Sequence, residues 1–326
     1  MKKRVFSGVR PTGRLHIGNY LGAVKNYVAL QDEYECVYCI VDLHALTTLE
    51  ETNRLQSNIY EALLDLLAAG LDPEKSIIFV QSHVPEINEL FTLLGMVTPL
   101  GWLLRVPTFK EKARLHPQNI NYGLVGYPVL MTSDIVLYKG EVVPVGEDQL
   151  PHLELAREIV RRFNEHFGET FPEPQAKLTN FPMVIGLDGK DKMSKSLGNH
   201  IELAATAEET TKKIMSAVTD PARKLRTDAG HPEICNIFKL RSYFESSVAT
   251  ALNKDCRAAA IGCVDCKKAL AAAINADLAP LRARRAELAA RPEYVMDIMQ
   301  DGARRAQIIA KQTLAEVKQK MGLVSI

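Results

Sequence analysis

The chain has 326 residues, 47% of them hydrophobic and 24% charged. Against about 150 residues per domain this allows one large domain or two ordinary ones, and it excludes a fibre, a short disulfide scaffold and global disorder. Lys and Arg number 40 against 39 Asp and Glu, but residues 251–326 hold 13 basic and 8 acidic side chains, an excess of +5 that leaves −4 on residues 1–250. Such polarity suits a polyanion approaching the C-terminal part.

The N-terminal MKKRVFSGVRPTG passes from basic residues straight into a short strand, and no run of about 18 apolar residues follows anywhere, so a cytoplasmic protein with no membrane span is expected. Strand and helix patterns then alternate. Val5–Val9, Cys36–Val41, Ile77–Gln81 and Glu141–Val145 read as strands, Asn19–Leu30 and Arg54–Ala69 as helices. Strands such as CVYCIVD are apolar throughout, which predicts a doubly wound α/β fold whose parallel sheet is covered on both faces. Cys36 and Cys39 fall on opposite faces of one strand and are read as core, as is Trp102 in GWLL. Pro and Gly punctuate the chain at 170–174 and again at 186–189, after which alanine-rich, charged helical sequence takes over. The expected division is residues 1–186 as an α/β domain and 187–326 as a smaller all-α domain. Helical spacing from Val295 to Val317 predicts one long amphipathic helix over about 294–321, able to pack back on the first domain.

The first strand runs through Arg10-Pro11-Thr12-Gly13-Arg14-Leu15-His16-Ile17-Gly18-Asn19 into a helix. A helix start at the carboxyl edge of a parallel sheet offers free N–H groups to a phosphate, Gly18 leaves room for a base or ribose, and His16 can donate to a phosphoryl oxygen. Neither G-x-x-x-x-G-K-[ST] nor G-x-G-x-x-G occurs, so no P-loop ATPase and no dinucleotide dehydrogenase is indicated. After the Pro/Gly break the chain reads Asp188-Gly189-Lys190-Asp191-Lys192-Met193-Ser194-Lys195-Ser196, where mobile lysines suit a leaving pyrophosphate. Gly146-Glu147-Asp148-Gln149 follows a strand at the same sheet edge, with Asp148 placed to accept from ribose hydroxyls and Gly146 admitting the sugar.

HIGN after the first strand and KMSKS after the last resemble the paired signatures of class I aminoacyl-tRNA synthetases. FSGVRPTGRLHIGNYLGA, IVDLHALTT, LLRVPTFKEK, GYPVLMTSDIVLY, VPVGEDQLPHLELAREIVRRFN and DGKDKMSKSLGN together are similar to bacterial tryptophanyl-tRNA synthetases over essentially the whole chain, with tyrosyl-tRNA synthetases as the nearer alternative. The resemblance implies a Rossmann-like catalytic domain, activation of tryptophan by Mg-ATP, transfer to tRNA(Trp) and a homodimer. It assigns Arg10, Pro11, Thr12, Gly18, Asn19, Met183 and Lys192 to Ser196 to ATP, with His16, Lys192 and Lys195 stabilising the developing charge. Arg10 stands where many relatives carry glutamine, and HIGN lacks the second histidine of HIGH. The role of Arg10 is open.

For tryptophan, the resemblance points to Asp134, which lies in an apolar segment where a carboxylate needs a partner. Facing an indole N–H satisfies both groups and rejects phenylalanine; hydrogen bonding within a helix is the alternative reading. Phe6, Met131 and Val143 are the expected walls, and Tyr127 and Gln149 face the substrate's amino and carboxyl groups. His44 either borders this site or packs as a satisfied histidine.

Cys235, Cys256, Cys263 and Cys266 lie in the helical part, the last two as C-x2-C among polar residues. They read as a four-thiolate site for zinc or a cubane, or as separate core cysteines. HPEIC and IGCVDCKK are similar to a subset of tryptophanyl-tRNA synthetases, and that similarity implies a four-iron four-sulfur cluster, with zinc as the alternative. Lys267, Lys268, Arg282, Arg284, Arg285, Arg304 and Arg305 supply the basic excess, suited to RNA phosphates. Two other classes compete: a nucleotidyltransferase acting on something other than an amino acid, and a non-enzymatic metal-cluster RNA-binding module. The first leaves KMSKS and the basic helical part unexplained, the second everything N-terminal to it.

Overall fold

Five parallel strands are laid out in the order β3-β2-β1-β4-β5 in a computed structural model that describes residues 2–48, 51–107, 109–110, 114, 120–178 and 183–324. They are β1 (Arg4–Val9), β2 (Glu35–Ile40), β3 (Ser76–Val80), β4 (Val142–Val145) and β5 (Gln175–Leu178). Strand order reverses between β2 and β4 on either side of β1, which opens a crevice at the carboxyl ends of these three strands.

Alternation along each strand splits its side chains between two cores. Val5, Cys36, Tyr38, Ile78 and Val142 enter one apolar cluster, while Phe6, Val37, Cys39, Phe79 and Val143 enter the other. Both faces being buried explains why these strands read as unbroken apolar runs. β5 is the exception, an exposed edge.

Helical segments follow in chain order: α1 (Ile17–Asn19), continued through a π-helical turn Tyr20–Val24 into α2 (Lys25–Leu30); α3 (Asp42–Leu46); α4 (Leu55–Ala68); α5 (Glu86–Val97); α6 (Leu100–Arg105). The second half holds α7 (Tyr122–Leu137), α8 (Leu150–Phe167), α9 (Ala207–Ser216), α10 (Asn236–Phe244), α11 (Ala249–Arg257), α12 (Cys263–Ala289) and α13 (Pro292–Lys320). Thr108, Glu111 and Lys112 of the LLRVPTFKEK stretch lie outside the described residues.

α7 is buried nearly all round, so the apolar reading of GYPVLMTSDIVLY describes an interior helix; Thr132 and Ser133 satisfy their hydroxyls on the carbonyls of Pro128 and Val129. α13 returns to the sheet and packs on β3, where a Cβ at Gly302 would lie 1.8 Å from the Ile78 carbonyl oxygen. α12 reaches from the cysteine-bearing region to α4. There Arg285 donates Nε to the fully buried Asp65 at 2.6 Å and Nη2 to Glu61.

Candidate active site

Three chain segments converge on a cleft of about 730 Å³ at the carboxyl edge of the sheet: the loop after β1, the loop after β4, and residues 184–194. The first is shaped by its own polar groups. His16 is the N-cap of α1: its Nδ1 accepts from the Asn19 N–H at 3.3 Å, while Asn19 Oδ1 accepts from the His16 N–H at 3.0 Å. An accepting Nδ1 leaves Nε2 as the protonated, donating nitrogen of a neutral ring. Burial, then the charges of Lys195, His200 and Lys192, push the His16 pKa down to about 4, so this tautomer holds at neutral pH. The main chain beside it is pinned by the Leu15 N–H, which donates to Asp65 Oδ2 at 2.6 Å.

The KMSKS segment docks on this loop. Ile17 N–H donates to Ile201 O and Leu203 N–H to Leu15 O, both at 2.9 Å. Met193 is buried in the core, and a Cβ at Gly18 would lie 3.2 Å from it. Gly13, at φ +108°, brings the backbone so close that a side chain would begin 3.3 Å from Lys195 Nζ. Burial lowers the Lys195 pKa, with Glu202 and Asp65 opposing. Asn199 holds the segment in shape, accepting from Ser194 N–H at 2.8 Å and donating to Asp188 Oδ2 at 2.6 Å.

Of the residues expected at ATP, Arg10, Thr12, Gly18, Asn19, Gly146 and Asp148 line the cleft together with Lys192, Met193 and Ser194. Lys192 Nζ stands 4.0 Å from Asp148. Pro11, Glu147, Met183, Lys195 and Ser196 lie outside that lining; Met183 is exposed, and Lys195 sits behind the lining, beside Gly13. Arg10 donates to Thr48 Oγ1 at 2.8 Å and to Ala45 O at 3.3 Å, and burial lowers its pKa.

The deep end of the cleft is apolar and holds one carboxylate. Phe6, Met131 and Val143 line it, as do Tyr127, Gln149 and His44. Asp134 is 2% exposed and does not bond within its helix: it accepts from His44 Nε2 at 2.9 Å and from Gln81 Nε2 at 2.8 and 2.9 Å. Tyr127 OH meets His152 Nε2 at 2.5 Å, and Gln149 Nε2 donates to Asp148 at 2.9 Å. Gln81, Asn199 and His152 are the functional neighbours that residue-by-residue reading passed over; His152 had a signal in its place after VPVGEDQ, whereas Gln81 was read as the last residue of a strand.

Far from the cleft, burial raises the thiols of Cys235, Cys256 and Cys266, and neighbouring cysteines add to each: Cys266 and Cys256 act on Cys235, Cys263 on Cys256, Cys256 and Cys263 on Cys266. Arg241 Nη1 reaches Cys266 Sγ at 3.8 Å, and Arg223 bonds Cys256. Among the described residues no three His, Cys, Asp or Glu side chains are grouped so as to hold a metal ion, and no helix is long and apolar enough to cross a membrane.

Comparison with known proteins agrees with the cleft. The family described as "tRNA synthetases class I (W and Y)" matches residues 1–279. The tryptophan–tRNA ligase of Deinococcus radiodurans is 45% identical, covering 99% of each chain, and that of Aquifex aeolicus is 40% identical, covering 98% of this chain and 100% of its own. A crystal structure of tryptophanyl-tRNA synthetase from Campylobacter jejuni, complexed with ADP and tryptophan, superposes with a TM-score of 0.86 at 36% identity, covering 98% of this chain and 100% of that one. The chain belongs to the class I tRNA synthetases of the W and Y family, and within it to the tryptophan–tRNA ligases.

Proposed function

We propose that this chain activates L-tryptophan with Mg-ATP and transfers it to the 3′-terminal adenosine of tRNA(Trp). The observation that carries this reading is a cleft with a buried carboxylate in an apolar end and a neutral imidazole donor with lysines at the other. An oxygen of the tryptophan carboxylate attacks the α-phosphorus, the bond to the bridging oxygen breaks, and pyrophosphate leaves; a ribose hydroxyl of the tRNA then attacks the adenylate carbonyl and AMP leaves. The first step needs positioning and neutralisation of charge, not a base. His16 Nε2–H, Lys192 and Lys195 supply it. Asp148 and Glu147 with Gly146 take the ribose, and Arg10, Pro11, Thr12, Gly18, Asn19, Met183, Met193, Ser194 and Ser196 complete the nucleotide site. Asp134 accepts the indole N–H between Phe6, Met131 and Val143, bordered by His44, and Tyr127 and Gln149 face the amino acid's polar end.

We assign the four cysteines, spaced C-x20-C-x6-C-x2-C, to a four-iron four-sulfur cluster, with Arg241 Nη1 3.8 Å from Cys266 Sγ to offset thiolate charge; among the described residues the four are not gathered as metal ligands, and the reading rests on their spacing. Zinc is the second reading of the same ligands. Bound there, either group cross-links α10, α11 and α12 in the region that carries the basic excess for tRNA. Four irons and four sulfides per chain after anaerobic purification support the cluster; one zinc supports the alternative. Met96, Leu100, Leu104 and Tyr122 leave apolar side chains exposed on α5, α6 and α7, helices that pack on one another, and we assign this face to the homodimer of a cytoplasmic enzyme. Tryptophan-dependent ATP–pyrophosphate exchange, followed by charging of a tRNA(Trp) transcript, tests the function. Exchange without charging would leave an amino-acid-activating enzyme of another kind, and no exchange with any amino acid would overturn the reading.

A further inference from the structure

Gln81 follows β3 directly, at the carboxyl edge of the sheet, and is fully buried. Its side-chain amide is used at both ends. Oε1 accepts from the Leu43 N–H at 3.1 Å and the His44 N–H at 3.3 Å, at the start of α3. That fixes which end is oxygen, so Nε2 faces the other way, toward both oxygens of Asp134 at 2.8 and 2.9 Å. His44, whose main chain Gln81 holds, adds its Nε2 to Asp134 Oδ2 at 2.9 Å.

A carboxylate offers about four lone-pair positions. Three of those on Asp134 are taken by two partners: Gln81, which does not line the cleft, reaches both oxygens, and His44, at the cleft wall, adds one contact to Oδ2. One acceptor position is left. With both oxygens tied, the carboxylate cannot turn to follow a ligand whose donor sits elsewhere.

We propose that Gln81 is a specificity-positioning residue: by clamping Asp134 and the start of α3 together it leaves a single fixed acceptor in the amino-acid cleft, matched to a ring N–H. The proposal rests on the reading of Asp134 as the tryptophan-facing carboxylate, and the test separates the two.

The experiment measures kcat/KM in ATP–pyrophosphate exchange for tryptophan and for β-(benzothiophen-3-yl)alanine, which has nearly the same shape and lacks the ring N–H. Native protein is compared with Gln81→Met, Gln81→Glu, Asp134→Asn and the double variant Gln81→Met/Asp134→Asn. Gln81→Glu keeps acceptors for the α3 amides, removes the amide donor and sets a second carboxyl group against Asp134, so it serves where Gln81→Met fails to fold. The native protein is expected to prefer tryptophan; either Gln81 variant should lose about 10- to 100-fold of that preference, mostly through the KM for tryptophan, with the KM for ATP unchanged within about twofold. The double variant should lose no more preference than Asp134→Asn alone, since Gln81 acts through Asp134. Gln81 variants that keep the native preference while kcat falls for both substrates would overturn the positioning role and leave Asp134 standing. A native protein indifferent to the ring N–H would overturn the reading of Asp134 itself, and the proposal with it.

Discussion

His16 works as a donor only while its ring is neutral, and the fold enforces that twice, by burial among lysines and by spending Nδ1 on the Asn19 N–H. Replacing it with glutamine keeps a side-chain donor but loses the ring geometry; exchange turnover should fall about 10²-fold with the affinity for tryptophan, measured by equilibrium binding, unchanged. The titration has a defined sign. The folded pKa of about 4 lies below the ordinary histidine value of 6.5, so the unfolded chain takes up the proton first. The stability contributed by neutral His16 is complete above about pH 6.5 and is lost as pH falls toward 4. Urea midpoints of native and His16→Gln protein at pH 7 and pH 4.5 should therefore converge on acidification; a constant difference would contradict the shift. Lys195→Ala should slow activation and leave tryptophan binding intact, because Lys195 stands beside Gly13 in the loop after β1 and is not among the residues that line the cleft with Asp134. At this scale HIGN and KMSKS were legible because each motif is a run of consecutive residues. Gln81 and Asn199 were not: a lone polar residue after an apolar strand carries no mark of the partner 53 positions away that it holds.

Short unbroken apolar runs made the strands readable, and the parallel sheet followed from their being apolar on both faces. Boundaries moved by one residue where hydrogen bonding overrode composition: Gln81 continues the run from Val80, yet turns its amide into the interior and ends β3 at Val80. The last helix shows a second limit. Helical spacing predicts its amphipathic stripe, but not the strand it lies on, which Gly302 decides by letting the helix backbone come against the Ile78 carbonyl. Gly302→Val should destabilise the protein by about 1–3 kcal/mol, read as a lower urea midpoint at unchanged slope. An unchanged midpoint would mean that α13 does not approach β3 this closely.

Across the whole molecule, the two nucleotide loops and the helical region are joined by one buried ion pair. Asp65 accepts from Leu15 N–H beside His16 and from Arg285 of α12, while Arg282 of the same helix donates to Leu203 O, in the stretch paired to Leu15. Arg285→Met leaves Asp65 buried with the Leu15 amide and no cation, which should cost about 3–5 kcal/mol, whereas removing the half-exposed Arg14 from Glu61 should cost about 1 kcal/mol or less. Equal midpoints for the two variants would deny Asp65 this linking role. None of this wiring is visible in composition, because it joins residues 50 to 220 positions apart. Selection of the amino acid rests on Asp134. ATP–pyrophosphate exchange with tryptophan, tyrosine and phenylalanine, on native and Asp134→Asn protein, tests it most directly. Native protein should favour tryptophan by about 10³-fold or more, and Asp134→Asn should lose most of that margin with its KM for ATP unchanged; equal selectivity in the two proteins would contradict the account.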